Sequence, residues 1–514
     1  MSLFKKFSEL EPAREEIPQI VSDLEKILNV EKEIVIQYKN DERGKHDPSQ
    51  EYAIYGAILR DSKEKLEGIK ITQNHILDYL SARENEEIDH EAKIRGMFSG
   101  ALLEISSQTE KEISINGRGK KWNYLFYHVK NIHDVTVENF TGSKILTYMG
   151  SYLGHAKNIT IKNIKGFDTL SYAGSEGGII ENIYLENLSN QKGERAEILR
   201  YIAQGGRAEN IVGKNLRGDF IFSLAGSNNG TLKNISLTDI SGLYVMMSIG
   251  DNNGFAENIT LIDIESDFTL NATGESGTVR NVKIVNNRGD GLLANQTKGK
   301  NGILENVFIA GSLGKNILRS VGQYGTIVKK IVLQDITGDN ILAHSGYDGN
   351  VQNVFGTNIS GTRMLSNAGQ SSPSGIICLT NFKPVYKVQN ILVVDSFTDE
   401  LLIDAGEDSR LVSAVEVSAT EVNTAKSSNT SFELKSIKHP ILNVLTDNIT
   451  GRNNFHHATI ENKKTADSLP SEKKNILKKI KLIVQKMKEK TVQEQKAMHK
   501  KIEQLQKELF ADEK

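Results

Sequence analysis

The sequence predicts a mainly β protein, a parallel β-solenoid flanked by helices, and three observations carry that expectation. A short phrase of the form Asn-Ile-x-Leu-x-Asn recurs about every 24 residues. The 514 residues include 43 glycines but only 7 prolines, none of them between 49 and 372, which suits long regular structure punctuated by glycine turns. Apolar patterning has period two through the middle of the chain and spacings of three and four at both ends.

The repeat reads Asn158-Ile-Thr-Ile-Lys-Asn, then Asn182-Ile-Tyr-Leu-Glu-Asn, Asn210-Ile-Val-Gly-Lys-Asn, Asn234-Ile-Ser-Leu-Thr-Asp, Asn258-Ile-Thr-Leu-Ile-Asp and Asn281-Val-Lys-Ile-Val-Asn. An earlier member starts at Asp134 and later ones at Asn306, Lys330, Asn353 and Asn390, most starts lying 23–25 residues apart. Apolar residues fall one and three positions after each start, as in Ile159/Ile161 and Ile235/Leu237, which predicts a strand with one face inward. Five positions after the start stands Asn or Asp, with Gly311 the exception, and eight after it a glycine such as Gly142, Gly166, Gly218 or Gly314. A further apolar segment (Leu146, Leu170, Phe222, Leu270) reads as a second strand, and a short third segment leads to the next start. Three short strands with Asn/Asp and Gly corners make one coil, and about eleven coils would stack into a continuous core over residues 113–462. The recurrent Asn and Asp are expected to form an asparagine ladder, because their side chains tolerate left-handed backbone and reach the neighbouring coil.

Residues 1–112 carry helical patterning, with stripes such as Ile17, Ile20, Val21, Leu24, Ile27 and Leu28, and predict an N-terminal domain of two to four helices that caps the solenoid's open edge. Residues 463–514 predict a long basic helix with an interrupted heptad seam (Leu477, Ile480, Val484, Met487, Met498, Ile502, Leu505, Leu509), continuous if Thr491 and Glu494 fill its middle. That helix serves either as an oligomerising coiled coil or as a cover packed on the protein's own body.

The Asn-Ile-x-Leu-x-Asn rhythm and 24-residue coils resemble the right-handed parallel β-helix superfamily of pectate lyases, polygalacturonases and phage tailspikes, over roughly residues 113–415. The resemblance is one of architecture. Its polysaccharide enzymes place carboxylates on adjacent coils, and the polygalacturonase motifs Asn-Thr-Asp, Asp-Asp, Gly-His-Gly and Arg-Ile-Lys are missing, Gly154-His-Ala being the nearest approach. No catalytic residue, metal ligand or cofactor is therefore assigned. Asp239 and Asp263 occupy equivalent corners and read as ladder residues, and Glu87-Ile-Asp-His90 is a single Glu-x-x-His spacing where a di-iron site needs two.

Lys and Arg number 63 against 65 Asp and Glu, so net charge argues for neither nucleic acid nor an anionic membrane as partner. The distribution is uneven: residues 1–112 hold 16 basic and 24 acidic side chains (net −8) and residues 468–514 hold 13 and 7 (net +6). One cysteine, Cys378, excludes an internal disulfide, and the absence of an 18-residue apolar run or signal-peptide core points to the cytoplasm without a membrane span, with export by another route left open.

The position two after each start should face solvent, and Thr136, Thr160, Ser236, Thr260 and Lys283 obey. Phe308, Val332, Phe355 and Leu392 do not, and with Ala310 and Val394 they form an apolar stripe. Such a patch marks an interface, covered by another subunit or by the C-terminal region. The function expected is a structural or protein-interaction scaffold oligomerised through its C-terminal helix, in a homo-oligomer or with a protein partner. The alternative is a carbohydrate-active or polysaccharide-binding protein with a site formed across adjacent coils.

Overall fold

Repeating corners decide where this chain turns, and the computed structural model describes the result for residues 17–41, 48–85, 87–189, 197–274, 276–293, 302–321, 326–341, 350–364 and 469–509, with short strand pieces between 387 and 465. The protein is a mainly β parallel solenoid of about nine turns rather than the eleven expected, with helices toward both ends of the chain. It divides into two compact units, residues 1–199 and 200–514.

The first unit holds helices α1 (Ile17–Tyr38), α2 (Pro48–Lys65), α3 (Gln73–Ala82) and α4 (His90–Ser107), then strands β1 (Ile113–Lys121), β2 (Asn131–Thr141), β3 (His155–Lys165), β4 (Ile179–Ser189) and β5 (Glu197–Ile198). The second holds β6 (Arg207–Ile221), β7 (Thr231–Val245), β8 (Phe255–Thr269), β9 (Thr278–Leu292), β10 (Ile303–Ile317), β11 (Ile327–Ile341) and β12 (Asn350–Met364). Strand pieces including β13 (Lys387–Gln389) and β14 (Ile391–Leu401) follow, and then helices α5 (Ser471–Met487) and α6 (Val492–Leu509).

Within each unit successive strands pair in parallel, one period apart: Ile211 lies beside Ile235, and Ile235 beside Ile259. Inward residues such as Ile235 and Leu237 are essentially inaccessible to solvent. Strands β2–β4 and β6–β11 are each bent by two left-handed residues at the ends of the repeated phrase, for example Asn234 (φ 56°) and Asp239 (φ 58°), then Asn258 (φ 59°) and Asp263 (φ 56°). An ordinary side chain would pay about 1–2 kcal/mol for that conformation, which Asn and Asp tolerate. Gly311, which breaks the Asn/Asp column, takes the same geometry at φ 60°. The corner amides also bond along the stack: Asn234 Nδ2 donates to Asn210 Oδ1 at 2.8 Å, Asn258 Nδ2 to Asn234 Oδ1 at 2.9 Å and Asn281 Nδ2 to Asn258 Oδ1 at 3.0 Å. In the first unit Asn182, Asn158 and Asp134 form an equivalent chain at 2.7–2.8 Å.

The glycine eight positions after the start has a steric cause. A Cβ on Gly166 would sit 1.4 Å from the carbonyl oxygen of Gly142 in the coil before, and one on Gly314 2.3 Å from that of Gly289.

The second apolar segment is not a strand. Leu146, Leu170, Phe222 and Leu270 adopt φ of 54°, 59°, 55° and 52°, in a run of turns whose amides alternate between the coils on either side. Leu270 N–H donates back to Val245 O, and Ser248 N–H forward to Asn271 O, both at 2.9 Å. The apolar side chains still point inward, so an alternating pattern reads the same in sequence although the backbone differs.

Helices α3 and α4 meet the first coil with polar groups that satisfy its edge. Ser114 N–H donates to Gln73 Oε1 (2.6 Å), Asn123 N–H to Asn85 O (2.7 Å), Phe126 N–H to Ser99 Oγ (3.1 Å) and Lys130 N–H to the buried Glu104 Oε2 (2.9 Å). Buried Glu51 on α2 accepts from Lys93 Nζ (2.7 Å), Tyr127 OH (2.9 Å) and His128 Nε2 (3.1 Å). Burial pushes the Glu51 carboxyl up, but these neighbours outweigh it and hold it down to about 2. Burial lowers the pKa of His128, whose ring donates to Glu51 through Nε2 and stacks on Tyr148 with centroids 4.4 Å apart.

Asn234→Ala removes both corner hydrogen bonds and the tolerance for left-handed backbone, whereas Asn234→Gly removes only the bonds. The alanine variant is expected to lose about 2 kcal/mol and the glycine variant about 1 kcal/mol by urea denaturation. Equal losses would show that backbone conformation does not set the corner preference.

Candidate functional site

The apolar stripe lies under the C-terminal helices. Phe308, Val332 and Phe355 are buried, with Val285 and Ala310, against Leu469, Ile476, Leu477, Ile480, Val484 and Met487 on and before α5 and Ile502 and Leu505 on α6. The backbone of Leu392 on β14 pairs with Phe355, while its side chain lies outside the described residues, as does Val394. Cys378, His344 and the His456-His457 pair also lie outside them. The stripe is wider than the position-two row, since Val285, Ala310 and part-buried Ile262 stand four after their starts.

The seam residues of the tail thus pack on the chain's own solenoid, and the tail is a helical hairpin rather than one long helix. Thr491 and Glu494, read as weak seam positions, are instead a reciprocal N-terminal cap. Thr491 N–H donates to Glu494 Oε2 (2.9 Å) and Glu494 N–H to Thr491 Oγ1 (3.3 Å), which starts α6 after a break. Buried Gln495 closes the turn by donating from Nε2 to Met487 O at 2.6 Å. The Thr-x-x-Glu spacing was the available signal for this break.

Polar groups punctuate the covered face. Lys283, expected in solvent, is buried beneath the hairpin and donates to Lys490 O at 2.6 Å; burial lowers its pKa. Lys330 bridges Glu305 (2.9 Å) and Glu503 on α6 (3.3 Å). His499 on α6 is 3% exposed with Nε2 unbonded, and burial, aided by Lys330, pushes its pKa down to about 4.

On the other described faces many side chains are committed to neighbouring coils. One column of the second unit alternates in sign, Glu209, Lys233, Glu257, Arg280, Glu305 and Lys329, each beside the next in strand register. Glu257 and Arg280 approach to 2.8 Å. Another column stacks Phe220 on Tyr244 and Tyr244 on Phe268, with centroids 5.1 and 5.4 Å apart, so these rings spend faces on each other. Asp239 pairs with Arg217 (2.6 Å) and Asp263 accepts from Asn286 (2.9 Å), which leaves both in corner roles. Asp89 caps α4 by accepting from Ala92 N–H, so Glu87 precedes the helix and does not share a helical face with His90. Exposed His155 bonds to Glu181 at 3.1 Å. Among the described residues no group of three His, Cys, Asp or Glu could hold a metal ion, and no helix is long and apolar enough to cross a membrane.

No family model, no curated protein and no solved structure matches the chain.

Phe308→Asp with Phe355→Asp places two carboxylates in a dry interface and is expected to destabilise the second unit by at least about 4 kcal/mol. An unchanged thermal midpoint would refute the packing. Acid should weaken the same joint. Between pH 6.5 and about 4 the unfolded chain binds a proton that docked His499 refuses, so stability falls as pH drops, by up to about 3 kcal/mol. Hydrogen exchange over residues 471–509, compared with His499→Gln at pH 7 and pH 4.5, should show acid loosening that the variant largely lacks; equal loosening in both would exclude His499 as its source.

Proposed function

We propose that this chain is a structural scaffold that makes protein–protein contacts and assembles through its C-terminal helices. The observation that carries the reading is the division of labour among surfaces. Among the described residues, charged and aromatic repeat side chains pair with adjacent coils, and the apolar stripe is covered by the hairpin. What the hairpin turns outward is a helix surface rich in exposed lysines. Oligomerisation through the tail then uses its outer face, since its seam is occupied within the chain. The expected partners are further copies of the chain or another protein.

Kinship with the right-handed β-helix superfamily belongs to this proposal and rests on the coil period and corner phrase. The cytoplasm is the proposed location, on the ground that one cysteine serves 514 residues. The alternative, a carbohydrate-active or polysaccharide-binding protein, calls for open aromatic faces or converging carboxylates, and the Phe220–Tyr244–Phe268 column supplies rings already stacked on one another.

Light scattering on the full chain over a range of concentrations tests the reading. The expected result is a mass above the 57.0 kDa of one copy. A monomer throughout, together with retention on a defined polysaccharide, would overturn the scaffold in favour of the alternative.

A further inference from the structure

Two exposed apolar side chains sit in settings of opposite charge. On the outward side of α5, Lys474, Lys478, Leu482 and Lys486 follow one another at intervals of four, a straight row along the helix, with Lys479 beside it. Leu482 is 52% exposed. The four lysines are exposed and have no ion partner among the described residues. In the first unit, Ile88 is likewise 52% exposed, in the segment between α3 and α4. Around it Glu84 and Glu87 are exposed without an ion partner among the described residues, and exposed Asp89 accepts from Ala92 N–H.

These charges differ from those of the solenoid, where acidic and basic side chains answer each other from coil to coil, as Lys157 answers Glu181 at 3.0 Å. A row of like charges four apart also weakens the helix that carries it. An acidic surface placed against the row would remove that repulsion, and a leucine in its centre would gain from an apolar contact there. The segment around Ile88 offers both.

We infer that the lysine row of α5, centred on Leu482, docks the acidic segment around Ile88 of a second copy of this chain. The inference rests on the scaffold reading and names the two surfaces that would join copies. The contact is heterologous, head to tail, so it propagates into open chains or rings rather than stopping at a two-fold dimer. Exposed ion pairs are individually weak, so association should appear at concentrations on the order of 10–100 μM. Screening length falls from about 10 Å at 0.1 M salt to about 3 Å at 1 M, and the dissociation constant should rise at least about tenfold over that range.

Sedimentation velocity on the full chain decides the matter with two charge-reversed variants, Lys478→Glu with Lys479→Glu, and Glu84→Lys with Glu87→Lys. All four side chains are exposed, and equal thermal midpoints check that folding is unaffected. At 0.1 M salt the unmodified chain should associate and neither variant should associate alone. An equimolar mixture of the variants should recover association, because the acidic row of one then meets the basic segment of the other. If both variants associate like the unmodified chain, or if the mixture stays monomeric, this docking is wrong while the scaffold reading stands. If the unmodified chain is itself monomeric up to about 200 μM, this docking falls and the scaffold reading keeps only a different protein as its partner.

Discussion

The stacking of one coil on the next at a nearly constant period is the constraint on which the rest of this structure depends. Parallel pairing satisfies backbone groups only if every coil places the same atoms at the same height, so a corner that works once must be repeated. Asn and Asp meet that demand twice over. They accept the left-handed backbone at the bends, as at Asn258 (φ 59°), and their side chains bond along the stack. The glycine column is the complementary requirement, since a Cβ at Gly166 would enter the carbonyl oxygen of the coil before it. The alternating column from Glu209 to Lys329 adds a register check, because a slip by one whole coil would set like charges side by side.

Where the repeat must stop or be covered, the chain changes to helix. At the first coil, α3 and α4 bring side-chain and backbone acceptors to free amides, and buried Glu104 serves the amide of Lys130. On the second unit the helical hairpin covers Phe308, Val332 and Phe355. The two devices answer different problems. A strand edge needs hydrogen-bond partners, whereas an apolar face needs only area, and the composition of each helical segment reflects this. The hairpin joint is not purely apolar, however: buried Lys283, Gln495 and His499 lie in it. Such groups weaken an interface unless they find partners, and the unbonded Nε2 of His499 makes this joint acid-sensitive.

Much of this was legible in the sequence because a solenoid writes its geometry repeatedly. The corner residues, the inward Ile and Leu and the apolar stripe each recur at fixed offsets, and even the anomaly at Gly311 falls on a left-handed residue. What escaped has identifiable causes. The second apolar segment was read as a strand because period-two alternation reports only which side chains point inward; an alternating left-handed run gives the same signal as a pleated one. The tail was read as one helix because Thr491 and Glu494 match heptad spacing, and a cap uses the same i, i+3 relation as a seam. Lys283 reads as exposed because its row is polar in earlier coils, and nothing local tells a lysine that a distant helix will cover it. The charge alternation needed strand register to become visible, since its members are about 24 residues apart.

A repeat of this kind also limits where function can reside. A side chain in the stack has identical or complementary neighbours above and below, and when it is charged or aromatic those neighbours claim it first. Glu257 is taken by Arg280 and Tyr244 by its flanking phenylalanines. Binding capacity therefore collects on segments that leave the period, where no neighbouring coil supplies a partner. Among the described residues the helices are such segments, and the charge of the sequence is uneven toward the same ends: acidic over the first 112 residues and basic over the last 47. The stretch of sequence between these segments is close to neutral. On the scaffold proposal, assembly therefore falls on α5 rather than on the faces of the coils.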